Sequence, residues 1–255
     1  MTAKITRVLF DGDLPATVTD EPLPWMPRLL GVTLVVAPYA DRFERHDFGV
    51  RTFGSEDFLW DDPDYVRFDK ADRNLVGVEL RMPEEAATAE ESARLPVGPA
   101  VLPGGLRADE VRDFGQRPGT VLCRAPGDEV LTVLRDPAVL DAPLDARVGI
   151  ATDVALLVQG GRVVGWSLTD PARHVTAGYE APEPDQPSDA TRRLFTDCLD
   201  FVTTPLVEDL IDGEQAALRK LRVTERALRS RTEDPLRTRA LLALIATSVD
   251  AYGDW

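Results

Sequence analysis

One hairpin-like sequence pattern occurs twice in this 255-residue chain, and it constrains the fold more than any other feature. Residues 66–83 read VRFDKADRNLVGVELRMP, and residues 154–171 read VALLVQGGRVVGWSLTDP. The two segments align without a gap at an offset of 88, with the identities Val66/Val154, Val76/Val164, Gly77/Gly165, Leu80/Leu168 and Pro83/Pro171. Alternating apolar residues on both sides of a central turn predict a β-hairpin in each. Internal duplication and convergence on common hairpin rules explain the repetition equally well.

Turn residues support the hairpins. Gly160 and Gly161 readily adopt the positive φ angles that a two-residue turn requires, and a polar turn at 69–74 serves the first segment. A third hairpin is predicted at 120–134, around the turn Ala125-Pro126-Gly127-Asp128. Residues 29–36 predict one continuous buried strand. The proline-rich residues 13–28 predict a surface loop without regular structure.

The periodicity becomes helical near residue 188. Ser188 or Asp189 is placed to cap a first helix, and Thr204-Pro205 and Asp234-Pro235 are typical helix starts. We therefore predict an α+β fold with a mainly antiparallel β body built from hairpins at 1–183. This body contains a Gly/Pro-rich loop near 96–106. Residues 188–252 are predicted to form C-terminal helices that pack on it.

Composition limits the compartment and the partners. The net charge of −15 disfavours nucleic acid, because an acidic surface repels phosphates. The longest apolar run, residues 29–40, is shorter than the roughly 20 residues of a membrane span. The N-terminal sequence lacks the features of a secretory signal, so we expect a cytoplasmic protein. Arginine greatly exceeds lysine, which indicates a GC-rich, bacterial coding genome.

Several common chemistries lack their motifs. The chain has two histidines, no Gly-x-Ser-x-Gly nucleophile motif and no phosphate-binding glycine loop, so we predict no cofactor. His174 follows a predicted strand and is expected to be structural. Cys123 and Cys198 lie 75 residues apart without metal-ligand spacing, and we expect both to be buried free thiols.

The densest polar stretch is GSEDFLWDDPDYVRFD at residues 54–69. Aromatic side chains among carboxylates are typical of a contact surface for a basic partner. The predicted binding residues are Asp57, Phe58, Trp60, Asp62, Asp64 and Tyr65. Alternatively, His46 and Asp61 act as a catalytic pair, because crowded carboxylates beside an imidazole suit acid/base work. A solvated acidic loop is the structural alternative, and no metal ligands are assigned.

One predicted helical segment has a net positive charge, whereas the chain as a whole has a net negative charge. Residues 213–239 hold eight basic and four acidic side chains. Arg219, Arg222 and Arg226 share a helical face and are predicted to contact an anion. The alternative is that this helix packs on the acidic body or is solvated.

These features predict a non-catalytic, acidic intracellular protein that binds a basic protein partner, in the manner of an immunity or regulatory protein. The alternative is a small-molecule enzyme that uses carboxylates near residues 46–64, either for acid/base chemistry or with a divalent metal. The sequence leaves open whether the protein is an enzyme.

Overall fold

A computed structural model describes residues 5–55, 64–96 and 98–252. Within these ranges the β-strands, in chain order, are β1 Arg7–Leu9, β2 Pro15–Thr19, β3 Arg28–Leu30, β4 Thr33–Val36, β5 Thr52–Gly54, β6 Tyr65–Asp69, β7 Leu75–Arg81, β8 Val101–Pro103, β9 Gly105–Ala108, β10 Val121–Arg124, β11 Val130–Leu134, β12 Ala146–Ala151, β13 Val154–Gln159, β14 Arg162–Thr169 and β15 Val175–Thr176. The α-helices are α1 Arg42–Arg51, α2 Ala89–Ala93, α3 Asp189–Asp200, α4 Leu206–Ile211, α5 Gln215–Arg229 and α6 Pro235–Tyr252. The predicted α+β class is confirmed.

The strands form two sheets. The six-stranded sheet has the order β15-β3-β4-β7-β6-β5, and its pairs are antiparallel apart from β15 with β3. The nine-stranded sheet follows the path β8-β12-β13-β14-β1-β2-β9, and β11 pairs with both β14 and β10. Two of its pairs, β8 with β12 and β1 with β14, are parallel. The body is therefore mainly antiparallel, as predicted.

All three predicted hairpins are confirmed. They are β6–β7, β10–β11 and β13–β14. Gly160 and Gly161 have φ angles of 58° and 73°, which join β13 to β14 through the expected turn. The prolines after β7 and β14 lie just beyond the ladders.

The same strand order occurs in both sheets. Strands β3-β4-β7-β6-β5 lie side by side in one sheet, and β10-β11-β14-β13-β12 lie in the equivalent order in the other. Gly77 faces Arg67 across the first hairpin, and Gly165 faces Leu157 across the second. The next residue towards the turn is an extra, bulged residue in each case, Val76 or Val164.

The strand register shows which residues of the two repeated segments are structurally equivalent. The second strands, β7 and β14, correspond at an offset of 88, because their glycines and bulges coincide. The first strands correspond at an offset of 90, because Tyr65 pairs with Glu79 where Ala155 pairs with Ser167. The identity Val66/Val154 therefore does not mark equivalent positions, since the first turn is two residues longer.

Several local predictions were wrong. Residues 29–36 form a hairpin, β3–β4, because Gly31 adopts a φ of 60° and reverses the chain. The proline-rich stretch contains β2, in which Pro15 occupies the first strand position. The loop predicted near 96–106 contains β8 and the start of β9. Helix α1 was missed because Phe48 is its one buried residue, which leaves no apolar stripe to detect.

The helical tail follows its sequence signals closely. The Ser188 side chain accepts a hydrogen bond from the backbone N–H of Thr191 and caps α3. Helix α6 begins at Pro235, directly after Asp234. Thr204 does not cap α4; its hydroxyl instead accepts a hydrogen bond from the N–H of Ala86 at 3.0 Å.

One continuous core joins the sheets and the helices. It contains Phe68 from the six-stranded sheet, Trp166 from the nine-stranded sheet, and Phe195, Leu218 and Leu241 from the helices. Each of these side chains is at most 3% exposed. The helices are therefore built into the same apolar interior as the strands.

A partly buried ionic cluster also ties the helices to the nine-stranded sheet. Arg124, at the end of β10, contacts Asp128 at 2.7 Å and Asp200 of α3 at 2.6 Å. Lys220 of α5 contacts Asp200 at 2.7 Å. These charges have partners, as buried or half-buried charges generally require.

Candidate functional site

Most of the predicted acidic–aromatic contact surface lies outside the described residues. These residues are Asp57, Phe58, Trp60 and Asp62; Asp61, which was predicted to be catalytic, also lies outside the described residues. Asp64 and Tyr65 are described, at the entrance to β6. They lie in two different environments.

Asp64 is buried, with 4% of its surface exposed, so it does not contribute to a surface patch as predicted. Its Oδ1 accepts a hydrogen bond from the N–H of Arg81 at 2.9 Å, and its carbonyl oxygen accepts one from the Ser55 hydroxyl at 2.7 Å. Burial raises the pKa of Asp64 to about 7, although the Arg81 N–H and the nearby Arg135 guanidinium act in the opposite direction. The carboxylate of Asp11, which is paired with Arg135, also raises it.

Tyr65 belongs to a cluster beneath α1. Its ring lies 5.5 Å from the Arg45 guanidinium and 4.8 Å from that of Arg67. Arg45 also donates two hydrogen bonds to Glu79, at 2.5 and 2.9 Å, which fasten α1 to β7. Tyr65 is half-buried and serves this helix–sheet contact.

The structure does not bring His46 and Asp64 together. His46 is exposed on α1, whereas Asp64 points into the interior towards Arg135 and Asp11. Tyr65, the next residue along the chain, faces α1, and neighbouring side chains of a strand point to opposite sides. A pairing of His46 with Asp61 involves a residue outside the described ranges. Within those ranges, no group of three or more His, Cys, Asp or Glu side chains is arranged to hold a metal ion.

The remaining histidine and both cysteines are buried. His174 is fully buried, and its Nε2 lies 3.1 Å from Asp153 Oδ2. Burial lowers the pKa of His174, so the neutral imidazole is favoured. Both cysteines are buried and free, as predicted. Burial raises the pKa of Cys123 to about 11 and raises that of Cys198 further, which makes both weak nucleophiles.

The predicted basic face lies on α5. Arg219 and Arg226 are exposed and Arg222 is half-buried. The Arg226 Nε donates to the carbonyl oxygen of Arg222 at 3.1 Å. The opposite face of α5 is buried, through Leu218, Leu221 and Leu228 among others. Contact of these arginines with an anion remains a prediction.

A groove that the sequence did not indicate lies between the sheet ends and the C-terminal helices. Its volume is about 960 Å³. One wall consists of the β3–β4 turn, the segment after β7 and the segment before β10; the other consists of the end of α3, α4 and α6. The apolar lining includes Val32, Met82, Val202, Val207, Ile211 and Leu244.

Acidic side chains flank this apolar lining. Glu84 and Glu85 line the sheet-side wall and are exposed. Arg81 is the basic residue of the lining. On α4, Glu208 is exposed and lies about one helical turn before Ile211, so its carboxylate neighbours that lining residue. The groove can therefore accept apolar groups with cationic groups at their edges.

The groove was missed because its walls come from segments far apart in the sequence. One local signal does exist: Ile211 is a large apolar residue within the acidic stretch VEDLIDGE, and it is 61% exposed.

No protein-family model, curated protein or solved structure matches this chain. Across the described ranges, every helix falls short of the length or apolar character that a bilayer span requires.

Proposed function

We propose that this protein is a non-catalytic, cytoplasmic binding protein that engages a basic protein partner, as an immunity or regulatory protein does. The observation that carries the proposal is the groove, in which exposed carboxylates flank an apolar lining. The net charge of −15 adds a long-range attraction for cationic proteins, which speeds their encounter.

Capture from native lysate tests this function. Tagged wild-type protein and the charge-reversed variant Glu84→Lys/Glu85→Lys are each incubated with lysate at low salt. The co-purifying proteins are then identified by mass spectrometry. We expect a near-stoichiometric basic protein with the wild type that is depleted with the variant and at high salt. Recovery of no basic protein with the wild type would contradict the proposal.

The buried carboxyl of Asp64 favours a second candidate, a small-molecule enzyme that uses carboxylates. A carboxyl group with a pKa of about 7, close to Asp11 and Arg135, has the protonation balance of a general acid or base at neutral pH. Calorimetric titration with Mg²⁺, Mn²⁺ and Ca²⁺ tests the metal-assisted form. Saturable heat that disappears in an Asp61/Asp62/Asp64 triple-alanine variant supports it, and no heat with any of the three ions argues against it.

A further inference from the structure

The groove has the chemistry of a helix-binding site. Val207 and Ile211 lie four residues apart on α4, and Leu244 lies on α6, so apolar side chains from two helices face the same space. Ile211 is 61% exposed, and among the described residues no segment of this chain occupies the groove. These side chains present an apolar strip that a partner can cover.

Negative charge lies next to this strip. Glu84 and Glu85 line the sheet-side wall. On α4, the exposed Glu208 lies about one helical turn from the lining residue Ile211. A complementary partner therefore carries an apolar stripe with Lys or Arg next to it. That arrangement is the pattern of a basic amphipathic helix.

The backbone of the walls argues against an added β-strand. Strand addition requires free main-chain donors and acceptors along an open edge. Here the Met82 N–H donates to Val32, and the Thr120 N–H donates to Leu134, each at 2.8 Å. The Glu84 and Glu85 carbonyl oxygens accept hydrogen bonds from the N–H groups of Thr204 and Leu122, also at 2.8 Å each. A helix satisfies its own backbone and needs only side-chain contacts.

We propose that the groove binds a basic amphipathic α-helix of a partner protein. The helix presents apolar residues at i, i+3, i+4 and i+7 to Val207, Ile211 and Leu244, and its flanking Lys or Arg side chains face Glu84, Glu85 and Glu208. This inference rests on the proposed function, since it names the part of the basic partner that is recognised.

Fluorescence anisotropy with designed peptides tests the docking directly. The probe is a labelled 18-residue Leu/Lys peptide with leucines at helical spacing. A peptide of the same composition with leucines at every second position controls for net charge, because it favours a strand. We expect the helical peptide to bind the wild-type protein at least tenfold more tightly than its control.

Surface variants locate the binding. Ile211→Ser is expected to weaken binding of the helical peptide about tenfold, whereas Val223→Ser, which changes a 56% exposed valine on α5, leaves it unchanged. Glu85→Lys is expected to weaken binding to a similar degree, and Asp47→Lys, on the exposed face of α1, far less. All four side chains lie on the surface, so we expect each variant to fold. Circular dichroism of each variant checks this.

The outcomes separate the docking mode from the function. Absence of peptide binding, equal binding of both peptides, or no effect of Ile211→Ser and Glu85→Lys would overturn helix docking. Lysate capture of a basic protein would still support the function in that case. Selective docking of the helical peptide without any basic protein captured from lysate would leave the groove assignment standing and remove the proposed function.

Discussion

Asp64 shows how burial changes the chemistry of one residue. Its neighbours in the sequence are acidic, which suggested a solvated cluster, yet its carboxyl faces the interior and its pKa is raised to about 7. The strand period decides this direction: Tyr65 faces α1, so Asp64 faces the opposite side. The sequence did not reveal it because Asp64 precedes β6 and lies among other acidic residues, so no apolar alternation marks it as buried.

The raised pKa of Asp64 makes stability depend on pH. The unfolded chain releases this proton near pH 4, whereas the folded protein holds it until about pH 7, so the folded state loses up to about 4 kcal/mol of stability as pH rises between those values. Asp64→Asn stays neutral and keeps an acceptor for the Arg81 N–H. We expect its stability relative to wild type to increase by about 2–4 kcal/mol between pH 4.5 and pH 8.

Urea unfolding at the two pH values measures this difference. Asp47→Asn, which changes an exposed carboxyl on α1, is the matched control and should differ little between the two pH values. A stability difference for Asp64→Asn that stays constant across the range would refute the assignment.

Arg28 holds three backbone carbonyl groups together. Its Nη1 donates to the carbonyl oxygens of Tyr39 and Tyr179, and its Nη2 donates to that of Ala37, each at 2.7 Å. The side chain is 7% exposed. Because a lysine ammonium cannot reproduce this planar fork, we expect Arg28→Lys to lower the free energy of unfolding by about 2 kcal/mol. Chemical denaturation checks this, with exposed Arg42→Lys expected to change stability by less than about 0.5 kcal/mol.

At the level of elements, local signals predicted most of the hairpins and helices. Turns such as Gly160-Gly161 and caps such as Ser188 act through neighbouring residues, so the sequence shows them directly. The β3–β4 hairpin was missed because an apolar run reads as one strand unless the φ angle of Gly31 is known. Strands β8 and β9 were missed because their partners, β12 and β2, lie far away in the sequence.

The strand order that the two sheets share bears on the origin of the repeated sequence pattern. The two units share the order of five strands, a bulge at Val76 and Val164, and a glycine beside each bulge, and internal duplication stays a prediction. Sequence identity alone covers one hairpin. The topology extends the correspondence to β3–β7 and β10–β14.

The two glycines next to the bulges are expected to differ in their tolerance of a side chain. A Cβ at Gly165 would lie 2.2 Å from the Val133 carbonyl oxygen, which belongs to a paired strand, whereas one at Gly77 would lie 2.9 Å from the Phe48 ring. We expect Gly165→Ala to cost about 3 kcal/mol or more and Gly77→Ala about 1–2 kcal/mol, because the ring can shift. Thermal and urea unfolding measure both.

Gly178→Ala is the matched control for these substitutions. No atom lies within 4 Å of a Cβ placed there, so its stability should stay close to that of the wild type. Equal costs at Gly77 and Gly165 would contradict the difference in packing that we describe.

At the scale of the whole molecule, the sequence did not predict the features that form where distant segments meet. The groove is built from the β3–β4 turn, the segments next to β7 and β10, and three C-terminal helices. No local pattern specifies that these segments converge. The charge of the chain was visible from composition, but the placement of Glu84 and Glu85 in the groove wall depends on the assembled fold.

The shared core predicts that sheets and helices unfold together. Trp166 reports on the nine-stranded sheet and Phe201 lies at the end of α3, and both belong to one apolar cluster. We therefore expect tryptophan fluorescence and helical circular dichroism to give the same denaturation midpoint. Phe201→Ala should lower both midpoints equally, at a cost of about 3–4 kcal/mol, because its side chain is fully buried.

Phe43→Ala provides the comparison for this substitution, because Phe43 is 84% exposed and should leave both midpoints unchanged. Two independent domains divided near residue 185 would behave differently. The helical signal would then be lost at its own midpoint, and Phe201→Ala would shift that midpoint alone. A core that is continuous from Phe68 through Trp166 to Leu241 requires both signals to shift together. Removing one side chain weakens the interior that all the elements share.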